Sequence, residues 1–165
     1  MDHDVVTSQI RASLAMLRST IESCPGPLWN RASDRNAFWM LAYHALYFAH
    51  LYLSPSEEAF VPFERRVEGH EGFGCTHLGD WSTLAPQDVY SKEDVLAYCD
   101  HVDALVSELV RSTPFGAPSG FHWLPFSRGE AHLYNLRHIQ HHAGQLADRL
   151  RQMADVGSKW VHAVP

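Results

Sequence analysis

The sequence predicts an all-α fold, a four-helix bundle, on three observations. Apolar residues recur at helical spacing in four long segments of the 165-residue chain. Proline, glycine or a capping-box serine marks the ends of those segments. The composition, with 45% hydrophobic and 19% charged residues, permits a packed core and argues against disorder. We therefore expect a single domain over residues 1–165.

The first two predicted helices differ in how much of their surface is apolar. The first, over residues 4–23, is apolar on one face only and stops at the sequence CPGP. The second, over residues 34–53, is apolar almost all round, so we expect it to be the most buried helix. Ser33 or Asp34 is the predicted N-cap of this second helix. Its apolar stretch, residues 37–53, is a little short for a membrane span, so a buried helix is the favoured interpretation and a membrane span the minority one.

A long connection separates the second predicted helix from the third. Residues 54–90 show no clear period, and we expect a functional loop or a short helix there. The third helix begins after Ser91, in the capping box SKED. The fourth begins after Ser127, in the capping box SRGE, and continues to about Ala154, with Gly157 as its stop.

Charge and cysteine usage limit the classes of partner and the compartment. The net charge of −6, without a basic cluster, argues against nucleic acid and anionic membranes as main partners. The three cysteines are scattered and odd in number, which favours a reducing compartment. The N-terminal segment lacks the apolar region of a signal peptide, so a cytoplasmic location is expected.

The clearest chemical signal is the sequence NLRHIQHHAGQL, residues 135–146. His138 and His142 are four apart, so their imidazoles lie one helical turn apart and can converge on one cation. His141 points away from the apolar stripe, as a solvent residue or a hydrogen-bonding neighbour of the site. With twelve histidines in the chain, about one such pair is expected by chance. A solvated, histidine-rich helix flank therefore stays an alternative.

A metal site needs a third ligand, and His44 is the main candidate. It lies in FWMLAYHALYF, the most apolar run of the chain. A buried imidazole must find a partner, which is either a carbonyl or a tyrosine, or a metal shared with the fourth helix. His50 lies about 240° further round the helix, so we expect it at the surface.

The remaining candidates are weaker, and two known types of metal site are excluded. The connection contains four weak candidate ligands, which are His70, Glu71, Cys75 and His77. The remaining histidines are expected off the site or at the surface, and these are His3, His101, His122, His132 and His162. Ile139 occupies the position of the general-base glutamate of a zincin. No glutamate precedes a histidine by three positions, as a ferritin-like di-iron site requires.

Together, the two histidine segments resemble the DinB-like superfamily, which includes YfiT-type metal-dependent hydrolases. The resemblance lies in an apolar helix with one histidine, followed by His138, His142, Gly144 and Gln145 in a C-terminal helix. It is specific in these segments and extends loosely to the helical plan over residues 1–156. Where the family often has arginine after the last histidine, this chain has an alanine, which touches no expected ligand.

The resemblance implies a fold, a metal and a class of activity. The fold would be an up-down-down-up bundle with its long connection between helices two and three. His44, His138 and His142 would bind one divalent metal, most often zinc or nickel. Homodimers are common in the family. Its characterised members include thiol S-transferases that use a low-molecular-weight thiol, such as mycothiol or bacillithiol.

Three neutral histidine ligands would leave a position open on the metal, which is the pattern of a catalytic site. That position could activate water or hold a thiol as thiolate, so a hydrolase and a thiol transferase both stay open, each with a small-molecule substrate. Gln145 could orient a ligand. Tyr47 and Tyr134, each one turn from a histidine, could line the pocket or simply pack.

Two functions without catalysis also stay open on the sequence. The first is a helical bundle that binds a metal or a small ligand in stress or detoxification. The second is a helical interaction protein whose histidines are incidental. Stoichiometric metal would exclude the interaction protein. Metal-dependent turnover would then distinguish an enzyme from a bundle that only binds a metal or a small ligand.

Overall fold

The computed structural model describes residues 2–72 and 88–164, and within these ranges the only regular elements are helices. They are α1 (His3–Glu22), α2 (Gly26–Trp29), α3 (Phe38–Leu53), a short 3-10 helix (His70–Gly72), α4 (Lys92–Arg111) and α5 (Arg128–Ala154). The predicted all-α fold is therefore confirmed. The short α2, which follows the helix-stopping CPGP sequence, was not predicted.

The four long helices enclose one core. Helix α1 packs against α4 and α5, and α3 packs against the same two helices. The side of α1 and α4 is mainly aliphatic, whereas α3 contributes most of the aromatic rings. The up-down-down-up order of the helices stays a prediction. None of the helices in the described parts of the chain combines the length and apolarity needed to cross a membrane.

Helix α3 is nearly enclosed, as its composition predicts. Every residue from Phe38 to Leu53 is buried except His44 and Phe48, which are half-buried. These two residues are four apart and therefore share one strip of the helix. Their rings lie 5.2 Å and 5.7 Å, respectively, from the ring of His138 on α5. The groove between α3 and α5 is thus the least covered side of α3.

The predicted start of this helix is wrong by several residues. Helix α3 begins at Phe38 after Ala37, and neither Ser33 nor Asp34 caps it. The carboxylate of Asp34 instead accepts hydrogen bonds from Arg31 and from Arg149 of α5. A side chain engaged in these ion pairs is not free to bond the amides of a helix start.

The serine caps of the last two helices are confirmed, but the predicted stop of α5 is not. The hydroxyl of Ser91 accepts the Asp94 N–H at 3.0 Å, and that of Ser127 accepts the Glu130 N–H at 3.2 Å. Helix α5 ends at Ala154, as predicted, but the residue that caps it is Asp155, with a φ of 53°, rather than Gly157. Aspartate is one of the few residues other than glycine that adopt this left-handed conformation.

Two histidines expected at the surface are buried, so those expectations are wrong. His50 is 3% exposed, because the segment after α3 folds back and places the ring of Phe60 4.9 Å from its imidazole. His132 is 1% exposed and packs at 5.8 Å against Phe115, in the loop before α5. In both cases a connection covers a helix face that the helical pattern alone leaves open. His122 and His162 are exposed, as expected, whereas His3 and His101 are half-buried.

Candidate metal centre

Three imidazole nitrogens converge between α3 and α5. The Nε2 atom of His138 lies 3.3 Å from Nε2 of His44 and 3.2 Å from Nε2 of His142. The ligand atoms of all three residues lie within 4.8 Å of one another. His44 projects from the middle of α3, while the other two project from successive turns of α5. The helical spacing therefore brings together the three residues on which the sequence prediction centred.

These separations fit one metal ion at the centre of the cluster. A zinc ion bonds imidazole nitrogen at about 2.0–2.1 Å, so two nitrogens at tetrahedral angles lie roughly 3.3 Å apart. The Nε2 separations of His138 from His44 and from His142, 3.3 Å and 3.2 Å, have this value. Within the described parts of the chain, the cluster contains three histidines and no carboxylate, a donor set suited to zinc, nickel and similar divalent metals.

Hydrogen bonds at the far nitrogens orient two of the three rings. His44 donates its Nδ1 proton to the backbone carbonyl of Glu71 at 2.6 Å, since a carbonyl oxygen can only accept. His142 donates its Nδ1 proton to the side-chain oxygen of Gln145 at 2.8 Å. Each ring therefore directs the lone pair of Nε2 towards the centre, as histidine ligands of metals do.

The arrangement of lone pairs is the strongest indication of a cation site. With both flanking Nε2 atoms unprotonated, His138 could donate one proton to only one of them. The Nδ1 atom of His138 is buried without a hydrogen-bond partner among the described residues, so no such bond fixes its tautomer. A divalent cation accepts all three lone pairs at once, which no arrangement of protons on the three rings achieves.

Burial keeps the three rings neutral. It lowers the pKa of His44 to about 4 and that of His138 to about 3, with a further decrease from neighbouring histidines. It also lowers the pKa of His142, against the opposing effect of the Gln145 hydrogen bond. Neutral imidazole is the form that binds a metal, so the site is ready for a cation at neutral pH.

Aromatic side chains line the α3 side of the cluster. The ring of Phe48 lies 4.7 Å from that of His44, and the ring of Tyr52 lies 6.2 Å from that of His138. Sequence reasoning missed both residues, although they follow His44 by one and two turns on the same strip. That spacing is the signal that could have found them.

The tyrosines proposed as pocket residues take part in packing contacts. Tyr134 is half-buried, with its ring 5.2 Å from that of Tyr52 and the guanidinium of Arg137 above it. Tyr47 is 9% exposed and carries the guanidinium of Arg66 over its ring at 5.5 Å. Tyr134 thus packs on Tyr52, whose ring in turn lies 6.2 Å from that of His138.

The remaining predicted site residues have varied positions. His141 is exposed, with its ring 5.0 Å from that of His142. Of the weak candidates in the connection, His70 packs on Trp39 at 5.4 Å, and Glu71 faces His44 through its carbonyl. Cys75 and His77 lie outside the described residues.

Comparison with known families agrees with this geometry. Residues 9–146 match the model of the DinB superfamily, a range that includes all three clustered histidines. Among curated proteins and solved structures, no match to the chain was found.

Proposed function

The chain belongs to the DinB superfamily, and on that premise we propose that it is a divalent-metal-dependent enzyme with His44, His138 and His142 as ligands. The observation that carries the proposal is the convergence of three Nε2 atoms, two of which are left unprotonated by their partners at Nδ1. Zinc and nickel are the metals that this donor set favours.

The reaction class that the site supports best is attack by a thiol or by water on a small electrophilic substrate. When bound, a metal with three neutral ligands would supply a Lewis acid with an open position. The residues of this chain orient the ligands: Glu71 holds the ring of His44, and Gln145 holds that of His142. Phe48 and Tyr52 present apolar surface beside the cluster and favour a substrate with an apolar part.

A second candidate is a bundle that binds a metal or small ligand without catalysis. It is favoured because no carboxylate of the described residues belongs to the cluster. The carboxylate of Glu71, whose backbone carbonyl meets His44, already accepts hydrogen bonds from Arg66 at 2.5 Å and from the Gly69 amide at 3.1 Å. No described carboxylate in this arrangement is free to act as a general base.

Metal content is the first test. We expect about one zinc or nickel ion per chain in tag-free parent protein, and none in His44→Ala or His142→Ala. His141→Ala is the matched control, because it removes an exposed imidazole from the same turn of α5 and should retain the metal. Circular dichroism checks that each variant is folded. A parent chain that stays metal-free after reconstitution with zinc, nickel and manganese would refute the proposal.

Turnover separates the two candidates. The loaded protein is assayed for consumption of a low-molecular-weight thiol with an electrophilic aryl halide, and for hydrolysis of ester and amide panels. Metal-dependent turnover in either assay, lost in His142→Ala, supports an enzyme and identifies its reaction class. A protein that binds metal but turns over neither panel would support the non-catalytic bundle.

A further inference from the structure

We propose that Arg66 is a positioning residue for the metal ligand His44, acting through Glu71. This inference rests on the proposed metal-binding function. It concerns the long connection after α3, which meets the candidate metal centre through a backbone atom and carries no described ligand of its own.

The contact with the ligand is made by the backbone of the connection. The carbonyl of Glu71 accepts the Nδ1 proton of His44 at 2.6 Å, across 27 positions of sequence. Glu71 belongs to the 3-10 helix His70–Gly72. A backbone carbonyl is present whatever the side chain, so its position depends on what holds this short helix in place.

The side chain of Glu71 fixes that helix with both carboxylate oxygens. Arg66 donates to Oε1 at 2.5 Å, and the amide of Gly69 donates to Oε2 at 3.1 Å. The side chains of Arg66 and Glu71 are 29% and 16% exposed, so water screens this ion pair less than one at the open surface. Gly69 has a φ of 89°, a conformation that glycine adopts readily and that turns the chain back towards Glu71.

Arg66 is in turn placed by the helix that carries the ligand. Its guanidinium carbon lies 5.5 Å from the ring centroid of Tyr47, within the range of a cation–π contact. Tyr47 follows His44 by about one turn of α3. His44 thus contacts Glu71, Glu71 contacts Arg66, and Arg66 contacts Tyr47, which lies on the same helix as His44.

The rest of the segment has its own attachment to the bundle. The hydroxyl of Tyr90 accepts the amide of Val67 at 2.7 Å and donates to the carbonyl of Arg65 at 2.8 Å. Trp29 donates to the carbonyl of Tyr90 at 2.8 Å. Loss of the Arg66 side chain should therefore release the Glu71 carbonyl without detaching the connection.

The neighbouring arginine offers a matched control. Arg65 pairs with Asp94 of α4 at 2.5 Å, and its side chain is 53% exposed. Arg65→Met removes the same charge and nearly the same volume from the adjacent position, while it leaves the carboxylate of Glu71 and its partners intact. Any effect of Arg66→Met beyond that of Arg65→Met is therefore due to the contacts that link Arg66 to His44 through Glu71.

The test measures zinc affinity by competition with a chromophoric chelator, together with the visible absorption of the Co²⁺-loaded proteins. We expect the zinc Kd to rise about 10-fold in Arg66→Met and to stay at the parental value in Arg65→Met. The Co²⁺ spectrum should change only in Arg66→Met, because the ring of His44 is less well oriented there. Arg66→Lys, which can still donate to Glu71, should recover part of the affinity.

Two outcomes would overturn the inference. If Arg66→Met is less heat-stable without metal yet keeps the parental zinc Kd and Co²⁺ spectrum, Arg66 is purely structural. If Arg66→Met fails to fold, Glu71→Gln decides, because it keeps the size and backbone of Glu71 and weakens the bond to Arg66. A parental zinc Kd in Glu71→Gln would then show that the contact between Arg66 and Glu71 does not position His44. A parent chain that stays metal-free with zinc, nickel and manganese would instead reject the proposed function itself, and this inference with it.

Discussion

At the scale of single residues, the role of each histidine depends on the partner of its second nitrogen. His44 and His142 have acceptors at Nδ1, so each ring directs the lone pair of Nε2 towards the centre of the cluster. His50 instead meets the hydroxyl of Tyr98 at 3.2 Å, on the side of α3 away from the candidate metal centre. Similar imidazoles on one chain thus divide into oriented candidate ligands and packed core residues.

His132 is a core histidine for which the structure predicts a cost. It is 1% exposed, and neither ring nitrogen has a hydrogen-bond partner among the described residues. Burial, and then the charge of Arg128, lowers its pKa to about 3. An unpaired buried polar group costs about 1–3 kcal/mol, whereas an apolar side chain of similar size does not carry this cost.

We therefore predict that His132→Leu raises stability and reduces its dependence on pH. In the unfolded chain the pKa is about 6.5, so below that pH the unfolded state binds a proton that the folded state does not. Stability should then decrease as the pH falls from about 6.5 towards 3, and this contribution is absent from His132→Leu. At pH 7.5 the variant should gain about 1 kcal/mol.

Denaturant unfolding at pH 7.5 and at pH 5.5 measures both effects. His122→Leu is the control, because the side chain of His122 is 83% exposed and should contribute to neither. A His132→Leu variant that is less stable than the parent at pH 7.5, or equally sensitive to acid, would contradict the prediction.

Residue-scale features of the site differ in how well the sequence predicts them. The pair His138 and His142 was accessible, because spacing along one helix is local information. His44 was accessible because a histidine in an apolar run must find a partner. The contribution of Glu71 could not be predicted from the sequence, because every residue type has a backbone carbonyl. The fold of the connection brings this carbonyl to His44.

At the scale of elements, capping serines were reliable signals and the start of α3 was not. Ser91 and Ser127 act within a single turn of their own helices, so neighbouring residues determine their role. Asp34 resembles a cap in sequence, but its partner Arg149 is 115 positions away on α5. A tertiary ion pair of this kind overrides a local preference and cannot be inferred from the segment itself.

Asp34 is accordingly predicted to stabilise the junction of α3 and α5. Its side chain is 5% exposed and accepts bonds from Arg31 and Arg149, the latter at 3.3 Å. In Asp34→Asn, two arginines lose their charged acceptor in a partly buried place. We expect a loss of about 1.5–3 kcal/mol in the free energy of unfolding.

Urea unfolding of Asp34→Asn, compared with Asp148→Asn, checks this prediction. Asp148 is an exposed acid on α5 whose carboxylate accepts from Gln152 at 2.7 Å, so its replacement should change stability little. Equal stability of the two variants would show that the Asp34 ion pairs make no net contribution to the free energy of unfolding.

At the scale of the whole molecule, helical periodicity and composition were sufficient for the fold class, because four amphipathic or apolar segments of this length can bury their faces only against one another. They were not sufficient to place the long connection. Part of it fastens to the bundle through Tyr90 and covers His50 with Phe60, contacts that depend on tertiary geometry. The same connection supplies the Glu71 carbonyl, so the arrangement of the candidate metal centre depends on a segment without helical periodicity.

Metal binding should be coupled to the stability of the whole fold. The three candidate ligands come from α3 and α5, and they lie close together only in the folded chain. A ligand that binds the folded state alone stabilises it by about 2.7 kcal/mol at 100 times its Kd. For a chain of this size we expect zinc at that excess to raise the Tm by roughly 5–10 °C. The shift should grow with the logarithm of the zinc concentration above the Kd.

Differential scanning fluorimetry with a zinc titration measures this coupling, with His142→Ala and His141→Ala as a matched pair. The first variant removes a candidate ligand and should show no shift, while the second removes the adjacent exposed ring and should respond as the parent does. A shift of the same size in His142→Ala and in the parent would mean that zinc stabilises the protein at some other place. The cluster of His44, His138 and His142 would then not be the zinc site that stabilises the fold.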